Sequence, residues 1–156
     1  MARVESGVPK PGKIRSIKNH AREVETWPIE RLKPYANNPK DHPPGQVAQI
    51  VASIVEYGWT IPILVDEDGE IIAGHGRLLA AIELELTEVT VIIARGWTEA
   101  QKRAYRIADN RLTELGDWNA DALEIEFAAL NDAGFKLELT GFSGDALAGY
   151  LPSLEA

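Results

Sequence analysis

The stretch Ile71-Ile72-Ala73-Gly74-His75-Gly76-Arg77-Leu78-Leu79-Ala80-Ala81 decides the fold. A β-branched apolar run reaches two glycines, a histidine and an arginine, then passes directly into good helix formers. That is the pattern of a strand feeding a helix start. Glycine lets backbone approach an anion closely, and a helix start offers unpaired N–H groups at the positive end of its dipole. Arg77 adds a permanently charged fork suited to phosphate. Spacing alone leaves two readings open. One is a phosphate cradle built from Gly74, His75, Gly76 and Arg77; the other is a tight turn whose glycines serve geometry only. Beside a phosphate, His75 can donate a hydrogen bond or relay a proton. The other histidines, His20 and His42, fall in irregular segments, so no metal-ligand spacing appears around His75.

Working outward, Asp66-Glu67-Asp68-Gly69 separates short apolar runs at 61–65 and 70–73, and Asp-Gly is a strong hairpin signal. Upstream, Val47, Ile50, Val51, Ile54 and Val55 recur at helical spacing over 46–57, with Gly58 as a stop. Trp27-Pro28-Ile29 suggests a short first strand, followed by a turn-rich loop through Pro34, Pro39, Pro43 and Pro44. Downstream, a helix is expected over 75–84 and a strand over 88–94. Thr98-Glu99-Ala100-Gln101 then matches a capping box opening a helix to about Leu115. A further helix is expected over 121–133 and an edge strand over 135–139. Ser143 is the expected cap of a last short helix ending near Leu151. This order predicts an α+β domain, a small mixed sheet with packed helices and a helical C-terminal extension. The expected division is a flexible basic arm over 1–22, the domain over 23–118 and the extension over 119–156.

On the helix from Thr98, Lys102, Arg103 and Arg106 are expected on one face, available to phosphate. Ala104, Ile107, Ala108 and Leu112 form the apolar face. Asp109-Asn110 places a carboxylate beside an amide oxygen, a pair able to hold magnesium that also contacts phosphates.

The 156 residues carry a formal net charge of −8, unevenly spread. Residues 1–22 hold six basic groups against Glu5, whereas 113–156 hold only Lys136 against nine acids. Lys10, Lys13, Arg15 and Lys18 thus form a candidate nucleic-acid arm on a chain otherwise repelling phosphate. The chain has no Cys, which excludes a disulfide framework, a thiolate zinc site and a cysteine nucleophile. No apolar run reaches membrane-spanning length and no signal peptide is visible, so a cytoplasmic protein is expected.

The motif order over roughly 24–118 resembles the N-terminal domain family shared by ParB-type partition proteins and sulfiredoxins. The residues carrying the resemblance are Ser53-Ile54 with Gly58, Pro62-Ile63-Leu64-Val65, Asp68 through Ala80, and Ala108-Asp109-Asn110-Arg111. In ParB proteins the central box reads Gly-Glu-Arg-Arg-x-Arg-Ala and holds the phosphates of CTP. Gly74, Arg77 and Ala80 match it, while His75, Gly76 and Leu79 depart from it. The later box, Glu-Asn-x-x-Arg, contributes magnesium and phosphate contacts; Asp109 and Asn110 match its start and Thr113 replaces its arginine. Sulfiredoxins carry Gly-Cys-His-Arg, and His75 in the cysteine's place excludes sulfinic-acid reduction. A related free-serine kinase group carries Gly-His-His-Arg. The wording from Trp97 to Leu112, with Leu139-Thr140-Gly141-Phe142, is similar to ParB-like domains of phages and mobile elements, often fused to DNA methyltransferases. No Asp-Pro-Pro-Tyr-type methylase motif occurs here.

The resemblance implies a nucleotide-binding, DNA-associated accessory module of a DNA-modification or mobile-element system. Its implied cofactor is magnesium with a nucleoside triphosphate, CTP or ATP. Its implied partners are DNA, with a partner or fused domain, and a second copy as a homodimer. The alternatives are a stand-alone nucleotide hydrolase, kinase or ParB-like nuclease, and a scaffold without ligand.

Overall fold

The computed structural model describes residues 16–150. Four strands form one sheet: β1 (Val24–Pro28), β2 (Ile63–Asp66), β3 (Ile71–Ala73) and β4 (Glu88–Ala94), in the order β1-β4-β2-β3. β4 pairs antiparallel with β1 and parallel with β2, and β2 pairs antiparallel with β3. The helices are α1 (Pro44–Tyr57), α2 (His75–Glu83), α3 (Glu99–Glu114), α4 (Ala120–Asp132) and α5 (Gly144–Ala148). The expected mixed-sheet α+β architecture is what forms. Among the described residues no helix is long and apolar enough to cross a membrane.

The interior strands are β-branched, as a buried strand flanked on both sides requires. Ile63, Val65 and Ile71 join Val89 and Val91 in the core, where Trp27, Leu78 and Ala81 close over them. The β2–β3 hairpin is shaped by Asp66, whose Oδ1 accepts from the backbone N–H groups of Asp68 and Glu70, each at 2.9 Å. Gly69 is required there. Its φ is +88°, and an added Cβ would sit 2.6 Å from the Arg31 carbonyl oxygen.

Three expectations need correction. Residues 135–139 form no edge strand; Leu137–Thr140 is a 3-10 helix. Alternating apolar residues there meet no strand. Leu137 instead joins Phe127 and Leu147 in a second apolar cluster, with Phe142 and Tyr150 packed against it. The end of the basic arm is also held rather than free: Lys18 Nζ donates to the Arg95 carbonyl and Trp97 Nε1 donates to His20 Nε2 at 3.0 Å. Lys10, Lys13 and Arg15 lie outside the described residues.

The third correction concerns α3, whose orientation is the reverse of its hydrophobic pattern. The capping box forms as expected, with reciprocal bonds between Thr98 and Gln101 of 3.1 and 2.9 Å. The helix, however, buries Lys102 and Arg106 and exposes Ile107 and Leu112. The buried side chains meet polar partners on the sheet. Lys102 Nζ bonds Asp66 Oδ2 at 3.0 Å, and Arg106 Nη2 and Nε bond the Ile71 carbonyl at 2.9 and 3.1 Å. Ile71 lies on edge strand β3, so the guanidinium satisfies a carbonyl that a missing fifth strand leaves open.

Candidate functional site

Strand β3 ends at Ala73, and Gly74 turns the chain into α2 with a φ of +108°. This left-handed backbone favours glycine, and space requires it as well. A Cβ on Gly74 would lie 2.8 Å from Arg77 Nη2, so the arginine folds back over the turn that precedes it. No side chain caps the start of α2. Its first-turn N–H groups, which lack intrahelical partners, remain available to an anion.

A cleft of about 190 Å³ opens at this helix start. Its lining joins Gly74, His75, Gly76 and Arg77 with Asp109 and Asn110 of α3. Six of the sequence-selected residues thus come together in one place. The structure adds Asn38, Lys40 and His42 from the loop before α1. Sequence reasoning passed over these three because the loop has no period. The available signal was polar side chains set between Pro34, Pro39 and Pro43, a composition that holds a loop in shape.

Arg103 and Arg106 do not line this cleft. Arg103 is exposed elsewhere on α3. Arg106 is only 2% exposed; besides the Ile71 carbonyl it meets Glu70 at 3.4 Å and stacks 3.5 Å over the Tyr35 ring. Its place is beneath the cleft wall. Lys18 is likewise not among the residues that line the cleft.

The electrostatics separate His75 from Arg77. His75 Nε2 accepts the backbone N–H of Tyr35 at 3.1 Å, which leaves the ring proton on Nδ1. Burial, with the neighbouring His42 and Arg106 charges, pushes its pKa down to about 4. His75 is therefore a neutral donor at pH 7. Burial also disfavours the Arg77 charge, against which the Asp109 carboxylate acts. An arginine stays protonated under such a shift, so Arg77 is the fixed cation. Its buried Nε has no hydrogen-bond partner. Gly76 serves packing: its Cβ would lie 2.8 Å from Ile50 Cδ1 and 3.1 Å from His42 Nδ1, so a side chain here would make Ile50 and the His42 ring give way.

Arg77 also lines a second, larger cleft of about 440 Å³ floored by Ile50 and Ile54, with Gln46, Ser53 and Trp59 on its walls. The two clefts share Ile50 and Arg77. Among the described residues no three His, Asp or Glu side chains group to hold a metal ion unaided. Asn110 donates its amide N–H to the Arg106 carbonyl at 2.9 Å, and both Asn110 and Asp109 line the cleft. Chemically the cleft can bind a phosphorylated molecule: a helix start, Arg77 and Lys40 for negative oxygens, and a carboxylate–amide pair for a cation shared with them.

The family model for the ParB N-terminal domain matches residues 14–111. The ParB-like nuclease domain-containing protein YnaK of Escherichia coli is 53% identical over 76 residues, covering 49% of this chain and 87% of that protein. A probable chromosome-partitioning protein ParB of Rickettsia typhi is 31% identical over 93 residues, covering 59% of this chain and 32% of that longer protein. Among solved structures, the C-terminally truncated chromosome-partitioning protein ParB of Caulobacter crescentus, complexed with CTP-gamma-S, superposes with a TM-score of 0.61. It is 21% identical and covers 85% of this chain and 86% of that one.

Proposed function

The chain belongs to the ParB N-terminal domain family, and from that premise we propose that it binds a nucleoside triphosphate with magnesium as a DNA-associated accessory module. One observation carries the reading: Lys40, Arg77 and the Asp109-Asn110 pair, far apart in sequence, converge on the open N-terminal end of α2. The phosphates would lie over the helix start, held by first-turn N–H groups, Arg77 and Lys40, with His75 Nδ1–H as a neutral donor. Magnesium would be held by Asp109 and Asn110 together with phosphate oxygens, neutralising their charge. The adjoining cleft has the volume for the nucleoside, within the range of small-molecule sites. CTP is the first nucleotide to test, because the fold superposes on a ParB crystallised with CTP-gamma-S. The cleft lining includes a single carboxylate, Asp109, which favours binding over phosphodiester cleavage as its task. A DNA-modification or mobile-element system is the setting that the motif wording supports.

The test is calorimetric titration of CTP, ATP and GTP with magnesium against the native protein and Arg77→Ala. The native protein is expected to bind at least one of them. The variant should lose roughly 1.5–3 kcal/mol, the scale of a hydrogen bond to a charged group, with an unchanged circular dichroism spectrum. Absence of binding at millimolar nucleotide, or equal binding by the variant, means the turn is geometry alone.

A further inference from the structure

The start of α3 carries a second feature that the cleft at α2 does not use. A groove of about 390 Å³ is lined by Trp97, Gln101, Ala104, Tyr105 and Ala108, none of which lines that cleft. Ala104 and Ala108 are one turn apart on α3, and their small side chains line the groove. Trp97 and Tyr105 flank it, their ring centroids 5.0 Å apart and their planes inclined at 62°. Trp97 is fixed from behind. Its indole N–H is bonded to His20, whose ring meets it edge-on at 5.5 Å. An aromatic held in this way presents its surface to a planar ligand with little loss of side-chain freedom.

His20 is also part of a neighbouring depression of about 170 Å³ whose lining includes Lys18, Arg22 and Arg95. The aromatic groove and this surface, which holds three cations, therefore meet at the Trp97–His20 contact. On a chain of net charge −8 this concentration of positive charge is local. Aromatic faces beside backbone-length rows of cations are what unpaired nucleotides require, bases stacking on the rings and phosphates meeting the cations.

We propose that this strip binds single-stranded nucleic acid. A base lies over Ala104 and Ala108 against Trp97 and Tyr105, and the sugar-phosphate chain runs toward Lys18, Arg22 and Arg95. A duplex fits less well, because its bases are already stacked. Glu23 and Glu25 line the same depression, and Glu25 meets Arg95 at 4.0 Å. They lower the local charge, so stacking supplies more of the affinity than counterion release does, and the salt dependence is shallow.

The experiment is a tryptophan-fluorescence titration of the full chain with a deoxythymidine oligomer of about ten nucleotides, a common site size, and with a duplex of equal length. It is run at about 50 and 200 mM salt. The expected result is saturable quenching by the single strand, weaker binding of the duplex, and loss of the quench in Trp97→Phe. Tyr105→Ala and, separately, Ala104→Glu on the exposed helix surface are expected to weaken binding at least fivefold, the lower end of one lost base–aromatic stack. Their circular dichroism should match the native spectrum. Arg77→Ala is expected to bind the oligomer normally, which separates this site from the nucleotide cleft. No quenching at either salt concentration, or equal affinity of folded Tyr105→Ala and Ala104→Glu, overturns the proposal and assigns the groove to an apolar protein partner. Equal binding of strand and duplex, abolished by salt, likewise overturns it by showing backbone attraction alone.

Discussion

Lys102 Nζ donates to Asp66 Oδ2 at 3.0 Å across 36 positions of sequence, tying α3 to the β2–β3 hairpin. The same carboxylate shapes the hairpin through its other oxygen. Burial would raise the Asp66 pKa, but hydrogen bonds from Lys102 and from the Glu70 and Asp68 N–H groups, together with the Lys102 charge, hold it below 3.8. Hydrogen bonding to Glu99, opposed by burial and supported by Asp66, raises Lys102 above 10.5. Lys102→Met strands a buried carboxylate and is expected to cost about 3–5 kcal/mol; denaturant unfolding measures this. For the native chain, the Asp66 contribution is present above pH 3.8 and fades as pH falls through its lowered folded value. The Lys102 contribution is present below pH 10.5 and fades as pH rises through its raised one. Lys102→Met should flatten the alkaline limb of the stability profile.

His75 provides a separate pH signature. Its folded pKa of about 4 lies below the ordinary 6.5, so protonation is favoured in the unfolded chain. Its contribution to stability is full above pH 6.5 and declines as pH falls toward 4. Nitrogen-15 NMR should show the ring neutral at pH 6, with the proton on Nδ1. A ring titrating near 6.5 would remove the neutral-donor role.

Gly76→Val is expected to lower thermal stability through the contact of α1 with α2. Its new Cβ meets Ile50 and the His42 ring, and overpacking of this kind costs about 1–3 kcal/mol. A thermal scan without ligand checks this. An unchanged midpoint with lost nucleotide affinity would return Gly76 to the role of opening backbone to the anion.

Magnesium should bind at Asp109 and Asn110 only together with nucleotide, since a carboxylate and an amide are too few ligands for a dehydration-resistant cation. Titrating magnesium with and without CTP tests the pair. Equal binding in both conditions, or none in either, removes their metal role.

Much of the fold was legible. The apolar run to Ala73, the Asp-Gly turn and the capping box at Thr98 each state a local structure through backbone chemistry. The cleft was legible where glycine and arginine met a helix start. The face of α3 was not. Lys102 and Arg106 read as solvated because their partners, Asp66 and the Ile71 carbonyl, become visible only once the sheet edge exists. The 135–139 segment misled for a related reason. Alternation reports which residues are buried, and Leu137 is buried against Phe127 rather than across a sheet. Lys40 and His42 carried no periodic signal at all.

The stacking of Arg106 on Tyr35, whose N–H in turn binds His75, has a consequence for how quickly the cleft can engage a ligand. The Pro-rich segment carrying Lys40 and His42 is moored beside α2 by contacts that exist without any guest. Its ordering entropy is settled during folding, so association need not wait for loop rearrangement. The buried guanidinium that gives up a direct part in anion capture thereby acts as a keel, holding the cationic wall upright for each encounter.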